Sequence, residues 1–264
     1  MYAFNYQRPS SLQEASTLLH AGGQALAGGQ TLLASMKLRL SSPESLVDLS
    51  QIAELKEIKL DGQHVVIGAM VKHAQVAGNA LVKQHIPALA DLAAHIGDKQ
   101  VRAMGTLGGS VANNDPSACY PSAVLALGAN IHTTQRVIAA HDFFLGMFST
   151  ALEAGELITA ISFPIPQKAV YLKFKQQASR FALVGIFMAQ MADGVRVAIT
   201  GASQQGVFRH AGLEVALSKS FTEAAAAAVH IEETDLNHDI HASAAYRAHM
   251  ISVQAQRAVK HLLG

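Results

Sequence analysis

The chain has 264 residues, half of them hydrophobic and 15% charged, with 20 Lys and Arg against 19 Asp and Glu for a formal net charge of +1. That is a globular profile with material for a sizeable core, and it excludes the basic excess of a nucleic-acid-binding or membrane-surface protein. One cysteine, Cys119, rules out an internal disulfide and an iron–sulfur cluster ligated by this chain alone, and it fits a reducing compartment.

The opening segment, MYAFNYQRPSSLQEA, has no apolar stretch or cleavage signal of the secretory kind, and the longest apolar runs, such as ALVGIFMAQM at Ala182–Met191, are too short to span a bilayer. A cytoplasmic protein without membrane insertion is expected. Ser11 and Glu14 have capping-box spacing, and Leu12, Ala15, Leu18 and Leu19 give the helix that follows an apolar face, ended by Gly22 or Gly23. A short strand at Gln24–Ala27, a helix over Thr31–Arg39 and a strand over Ser45–Ser50 complete a βαβ-like unit up to about Ala53.

Further along, HVVIGAM at His64–Met70 reads as a strand and IPALADLAAHIG at Ile86–Gly97 as a helix opened by Pro87. KQVRAMGTLGGSVANNDPSACYPSAVLALGANI reads as a glycine-rich loop, a short helix and a strand; Glu156–Pro166 is a strand closed by two prolines, with a domain boundary there. Beyond Ala169 three strands (AVYLKF, ALVGIFMAQM, VRVAITGA) precede helices at Arg209–Leu217, in TEAAAAAVH and over Ser243–Leu263, where Ile251, Ala255, Ala258, Val259 and Leu262 share one face. The five alanines at 224–228 are helix formers, and there is no internal repeat.

Two glycine-rich stretches carry the chemistry. In Ala27-Gly28-Gly29-Gln30-Thr31 a glycine pair stands just before a helix, where free N–H groups and the helix dipole favour an anion. Gly105-Thr106-Leu107-Gly108-Gly109-Ser110 repeats the pattern. Either alone also serves as a plain turn, and neither is a G-x-G-x-x-G or Walker A sequence. Together they predict a clamp on one diphosphate, which favours a dinucleotide. The 13 histidines are scattered apart from His238 and His241, so no metal site is expected.

LAGGQTLLASMKLRL with the later PESLVDL, and IGDKQVRAMGTLGGSVANNDPSACYP, resemble the two FAD signatures of the flavoprotein (medium) subunits of molybdenum hydroxylases, the family of the carbon monoxide, nicotinate and xanthine dehydrogenases. The resemblance continues through RPSSLQEASTLL, ELITAISFP and DIHASAAYRAHMISVQAQRA.

It implies an α+β chain: a two-part FAD-binding domain of the vanillyl-alcohol-oxidase (PCMH) type over 1–166, with parts at about 1–53 and 54–166, and a C-terminal α+β domain of three strands and helices over 167–264. By similarity, Ala27, Gly28, Gly29, Gln30, Thr31, Leu32 and Leu33 wrap the pyrophosphate, and Gly105, Thr106, Gly109 and Ser110 hold its other side. Ile96, Gly97 and Val101 lie along the cofactor edge. Ala112, Asn113, Asp115 and Cys119 fall in the second signature, Leu157 and Ile158 pack near adenine or ribose, and Lys173 approaches the flavin.

Three positions depart from the pattern. Cys119 stands where the family often has an acidic residue, Gln176 and Arg180 occupy a stretch that usually carries an arginine and an aspartate, and Ser110 replaces an asparagine. The implied function is electron transfer through FAD, from a 2Fe–2S small subunit beside a molybdopterin large subunit to NAD, a quinone or oxygen. The rival readings are an assembly subunit with a degenerate flavin site and a self-sufficient flavin reductase.

Overall fold

Three sheets organise the computed structural model, which describes residues 1–264. The first unit runs β1 (Asn5–Gln7), α1 (Leu12–His20), β2 (Gln24–Leu26), α2 (Leu32–Lys37), β3 (Ser45–Asp48), and its strands form a parallel sheet in the order β1-β3-β2. Ser11 Oγ accepts from the Glu14 N–H at 3.2 Å, and the Glu14 carboxylate reaches back to the Ser10 N–H at 3.0 Å. The side-chain cap fixes where α1 begins.

The second unit starts with the hairpin β4 (Ile58–Asp61) and β5 (His64–Gly68). Six short helices follow: α3 (His73–Gly78), α4 (Ala80–His85), α5 (Pro87–Ala94), α6 (Lys99–Met104), α7 (Leu107–Asn113) and α8 (Tyr120–Leu127). Then come β6 (Asn130–Thr133), β7 (Val137–Ala139), α9 (Ala140–Phe143), the hairpin β8 (Phe144–Gly146) and β9 (Ser149–Thr150), and β10 (Ile158–Pro164). The main sheet is antiparallel in the order β4-β5-β10-β6-β7.

The glycine-rich stretch read as loop is largely helical. The Asp98 carboxylate accepts from the Val101 N–H at 2.8 Å and opens α6; Thr106 Oγ1 accepts from the Gly109 N–H at 3.1 Å and opens α7. Two N-caps outweigh the helix-breaking tendency of Gly108 and Gly109. The strand expected from Glu156 begins at Ile158, because Glu156 is turned inward as a hydrogen-bond acceptor.

The third sheet is antiparallel, β11 (Lys168–Lys175), β12 (Ala182–Met191), β13 (Gly194–Thr200) and a two-residue β14 (Phe208–Arg209), which adds a fourth strand to the three expected. Three helices follow, α10 (Ala211–Lys219), α11 (Glu223–Ala227) and α12 (Ala244–Leu263). The period-2 pattern of β12 is buried on both faces. Val184, Ile186 and Met188 join the 20-residue core under α10–α12, while Phe187 and Ala189 join the 41-residue core shared by the first and second units. The eight residues of α8 are all buried, and this helix packs against β12 and β13; an all-apolar helix needs such double cover. No helix is long and apolar enough to cross a membrane.

Candidate cofactor site

The loop between β2 and α2 meets the loop between α6 and α7 backbone to backbone. A β-carbon on Gly28 would collide with the Met104 carbonyl oxygen and stand 2.6 Å from Gly105 Cα. A β-carbon on Gly109 would stand 3.3 Å from the Ala27 Cβ. Only glycine permits this approach, and it sets both loops on one wall of a cleft of about 780 Å³. That lies within the roughly 300–1,000 Å³ of small-molecule sites.

The two loops are not equivalent. In the second, the N–H groups of Leu107 and Gly108 donate to the carbonyls of Val71 and Ala69 at 3.0 and 2.9 Å, and that of Gly109 to Thr106 Oγ1. In the first, the N–H groups of Gly28, Gly29, Gln30 and Thr31 have no acceptor in the protein. Gly29 has φ +69°, which turns the chain so that α2 follows at once. Four adjacent unpartnered donors on a cleft wall form a nest for an anion. The first loop thus keeps four free donors, whereas the N–H groups of Leu107, Gly108 and Gly109 in the second are already bonded within the protein.

Nearly every residue singled out from the sequence lines the cleft: Ala27 through Leu32, Ile96, Gly97, Val101, Gly105, Thr106, Gly109, Ser110, Ala112, Asn113, Asp115, Cys119, Leu157 and Ile158. Two do not. Leu33 turns its side chain back under Gly29 and packs with Leu26, Met36 and Leu46. Lys173 stands behind the wall, its Nζ donating to the His95 carbonyl at 3.0 Å and lying 3.3 Å from Cys119 Sγ. Cys119 itself is buried, so this thiol separates the lysine from the cleft.

The cleft also gains residues that the sequence did not reveal. His73, at the start of α3, is buried, and burial pushes its pKa down to about 4, with the Arg102 charge adding to the effect. Its ring lies 5.3 Å from that of Tyr120, and its Nδ1 has no partner. Glu156 accepts from Thr133 Oγ1 at 2.6 Å, Arg136 Nε at 3.1 Å and the Glu153 N–H at 2.8 Å. Burial opposes its charge, but these donors outweigh burial and hold the carboxyl below its ordinary pKa. Ser179, Arg180 and Phe181, in the β11–β12 connection, bring the C-terminal sheet to the cleft. Loop residues with no periodicity leave no signal for such long-range placement.

Residues 2–166 match the family model of the FAD binding domain in molybdopterin dehydrogenase. The chain belongs to the FAD-binding subunits of the molybdenum hydroxylase family. It is 33% identical to the carbon monoxide dehydrogenase medium chain of Hydrogenophaga pseudoflava over 97% of this chain and 96% of that one. It is 32% identical to the nicotine 6-hydroxylase medium subunit of Paenarthrobacter nicotinovorans, over the same shares of the two chains. Reconstituted CO dehydrogenase from Oligotropha carboxidovorans superposes with a TM-score of 0.91 at 31% identity, covering 99% of this chain and 98% of the other. The vanillyl-alcohol-oxidase-type fold, the oxidoreductase class and FAD as the cofactor follow from this membership. The donor set fits FAD: the nest suits a pyrophosphate, and the cleft has room for the groups on either side.

Proposed function

We propose that this chain relays electrons through FAD within a multi-subunit molybdenum hydroxylase. It takes them from a subunit holding 2Fe–2S clusters, beside a molybdopterin subunit, and delivers them to an external acceptor such as NAD, a quinone or oxygen. The observation that carries this reading is the nest of four unpartnered N–H donors, Gly28 to Thr31, on the wall of the large cleft. A single cysteine and the lack of any group of three or more His, Cys, Asp or Glu placed to hold a metal support assigning the clusters to a separate chain.

When bound, FAD supplies the step between one-electron and two-electron carriers; the protein supplies binding and surroundings. The N–H groups of Gly28–Thr31 hold the pyrophosphate, and the hydroxyls of Thr31 and Ser110, which have no protein partner, are free to join them. Ile96, Val101, Leu157 and Ile158 give the cleft apolar walls that keep water from the bound group. A cofactor-binding part ending near Pro166 is supported by the extent of the family match and by the separate core beneath α10–α12. A cytoplasmic location suits the lone thiol.

The test is the visible spectrum of the purified chain before and after dithionite. Flavin bands near one equivalent per chain that bleach on reduction are expected. A colourless chain that fails to take up added FAD overturns the reading.

A further inference from the structure

His73 lies in the wall of the cofactor cleft and is only 5% exposed, yet its ring makes no hydrogen bond within the protein. Packing alone does not call for an imidazole here. The ring lies tilted against that of Tyr120, a contact that phenylalanine would also make, without the cost of burying polar nitrogens that have no partner.

The two ring nitrogens differ. Nδ1 is sealed from solvent with no partner. Nε2 abuts Gly105, where an added β-carbon would stand 2.5 Å from it, so the missing side chain at 105 leaves Nε2 uncovered beside a loop that lines the cleft. With its pKa pushed down to about 4 by burial, the ring is neutral at pH 7, and one nitrogen carries a hydrogen while the other keeps a lone pair. A sealed N–H without an acceptor is rarer in proteins than a sealed acceptor without a donor. That places the hydrogen on Nε2, the open side.

The contact of the two glycine loops fixes where this donor stands. The Gly105 Cα is also 2.6 Å from the β-carbon position of Gly28, the first residue of the nest. Joined through two Cα–Cβ bonds of about 1.5 Å, these gaps put Nε2 no more than about 8 Å from the Gly28 Cα. Hydrogen bonds of about 2.9 Å from both places reach the oxygens of one phosphate group.

We propose that Nε2–H of His73 is a further donor to the pyrophosphate of bound FAD, joining the N–H groups of Gly28–Thr31. The proposal rests on the flavin reading above. A bond from this ring to a charged phosphate oxygen is about twice as strong as one between neutral groups, so its loss is measurable.

The experiment titrates the full chain, freed of flavin, with FAD and with ADP, which share the diphosphate, in the wild type and three variants. His73→Phe keeps a ring against Tyr120 and removes the donor. His73→Gln brings an amide donor to the place of Nε2, and the shorter His73→Asn brings one only to the place of Nδ1. Expected are affinities for both ligands at least tenfold lower in His73→Phe and His73→Asn, and within threefold of wild type in His73→Gln. Urea unfolding of the flavin-free chain at pH 7 should find His73→Phe at least as stable as the wild type, which a histidine kept for packing would not give.

Wild-type affinity in His73→Phe overturns the proposal, as does a loss in His73→Gln as large as in His73→Asn. A loss for FAD with none for ADP also overturns it, because His73 would then meet the flavin half. Should His73→Phe impair folding, the contrast between His73→Gln and His73→Asn decides alone. A wild-type chain that takes up no FAD removes the flavin reading, and the ADP contrast then still tests the donor beside the nest. A wild-type chain that binds neither ligand overturns both.

Discussion

Gly28 packs against Gly105 so closely that a β-carbon on Gly28 would stand 2.6 Å from the Gly105 Cα and collide with the Met104 carbonyl oxygen. Both obstacles are backbone, so neither can turn aside as a side-chain tip would. Gly28→Ala must part the two loops, and the donor nest spreads with them. The expected result is flavin affinity at least tenfold lower and stability reduced by about 1–3 kcal/mol. Flavin absorbance per chain and urea unfolding measure the two effects. Full flavin content in Gly28→Ala would mean that the nest tolerates the separation and that the cofactor is held elsewhere.

His73 gives the cleft a pH dependence. Its pKa is near 4 in the fold and 6.5 in the unfolded chain. Between these values the unfolded chain binds a proton that the fold does not, so stability falls as the pH drops from 6.5 to 4 and is lost no further below that. The full span is worth about 3 kcal/mol. From pH 7.5 to 5.5 the expected loss from this residue is roughly 1.3 kcal/mol. Burial also holds His210 below its ordinary value, with an effect of the same sign. Urea unfolding of His73→Gln at the two pH values isolates the difference, and an unchanged slope in that variant would assign the loss to other groups.

Much of the site was legible from local features. Glycine pairs next to helix starts marked both loops, because no other residue allows such close backbone approach. The apolar face of α12, with Ile251, Ala255, Ala258, Val259 and Leu262 all buried, followed from its spacing. The illegible parts depend on distance in the fold. His210 caps α10 by accepting from the Leu213 N–H at 3.1 Å, so the helix begins at Ala211 and leaves Arg209, in β14, to pair with Ala198 of β13. A histidine cap gives no ordinary N-terminal signal. The placement of Lys173 turned on Cys119, a neighbour 54 positions away. Spacing cannot show that a thiol stands between a cation and a cleft.

Asn114 ties the second signature to the β8–β9 hairpin. It is buried in the left-handed conformation at φ 44°, and its Nδ2 donates to the carbonyls of Gly146 and Ser149 at 2.8 and 2.9 Å. Its own carbonyl accepts from the Phe148 N–H at 3.1 Å. Asn114→Ala loses both side-chain bonds and places a poor residue at positive φ, for an expected cost of about 2–4 kcal/mol. Asn114→Gly keeps the backbone freedom and should cost less, though the two carbonyls still lose their donor. Limited proteolysis should cut the 144–150 hairpin faster in both variants, and a hairpin equally resistant in Asn114→Ala would show that the bonds do not hold it.

Arg247 anchors the last helix to the third sheet. It is 2% exposed, with Nη1 donating to the carbonyls of Leu183 and Gly201 at 2.8 and 2.9 Å and Nη2 pairing with Asp239 at 2.7 Å. Arg247→Met fills similar space but leaves both carbonyls and the carboxylate without that donor, so a loss of about 3–5 kcal/mol is expected. Asp239→Asn should cost less. It keeps an oxygen to accept the N–H groups of His241 and Ala242, and the guanidinium keeps its carbonyl partners. Burial works against the Asp239 charge, yet those N–H groups and Arg247 hold the carboxyl below its ordinary pKa. The stability given by this pair is therefore present at neutral pH and fades only as the pH falls through the lowered value. Thermal unfolding of the two variants at pH 7 checks the ranking. Equal losses would place the energy in the ion pair, whereas a larger loss in Arg247→Met places it in the bonds from the arginine to the two backbone carbonyls.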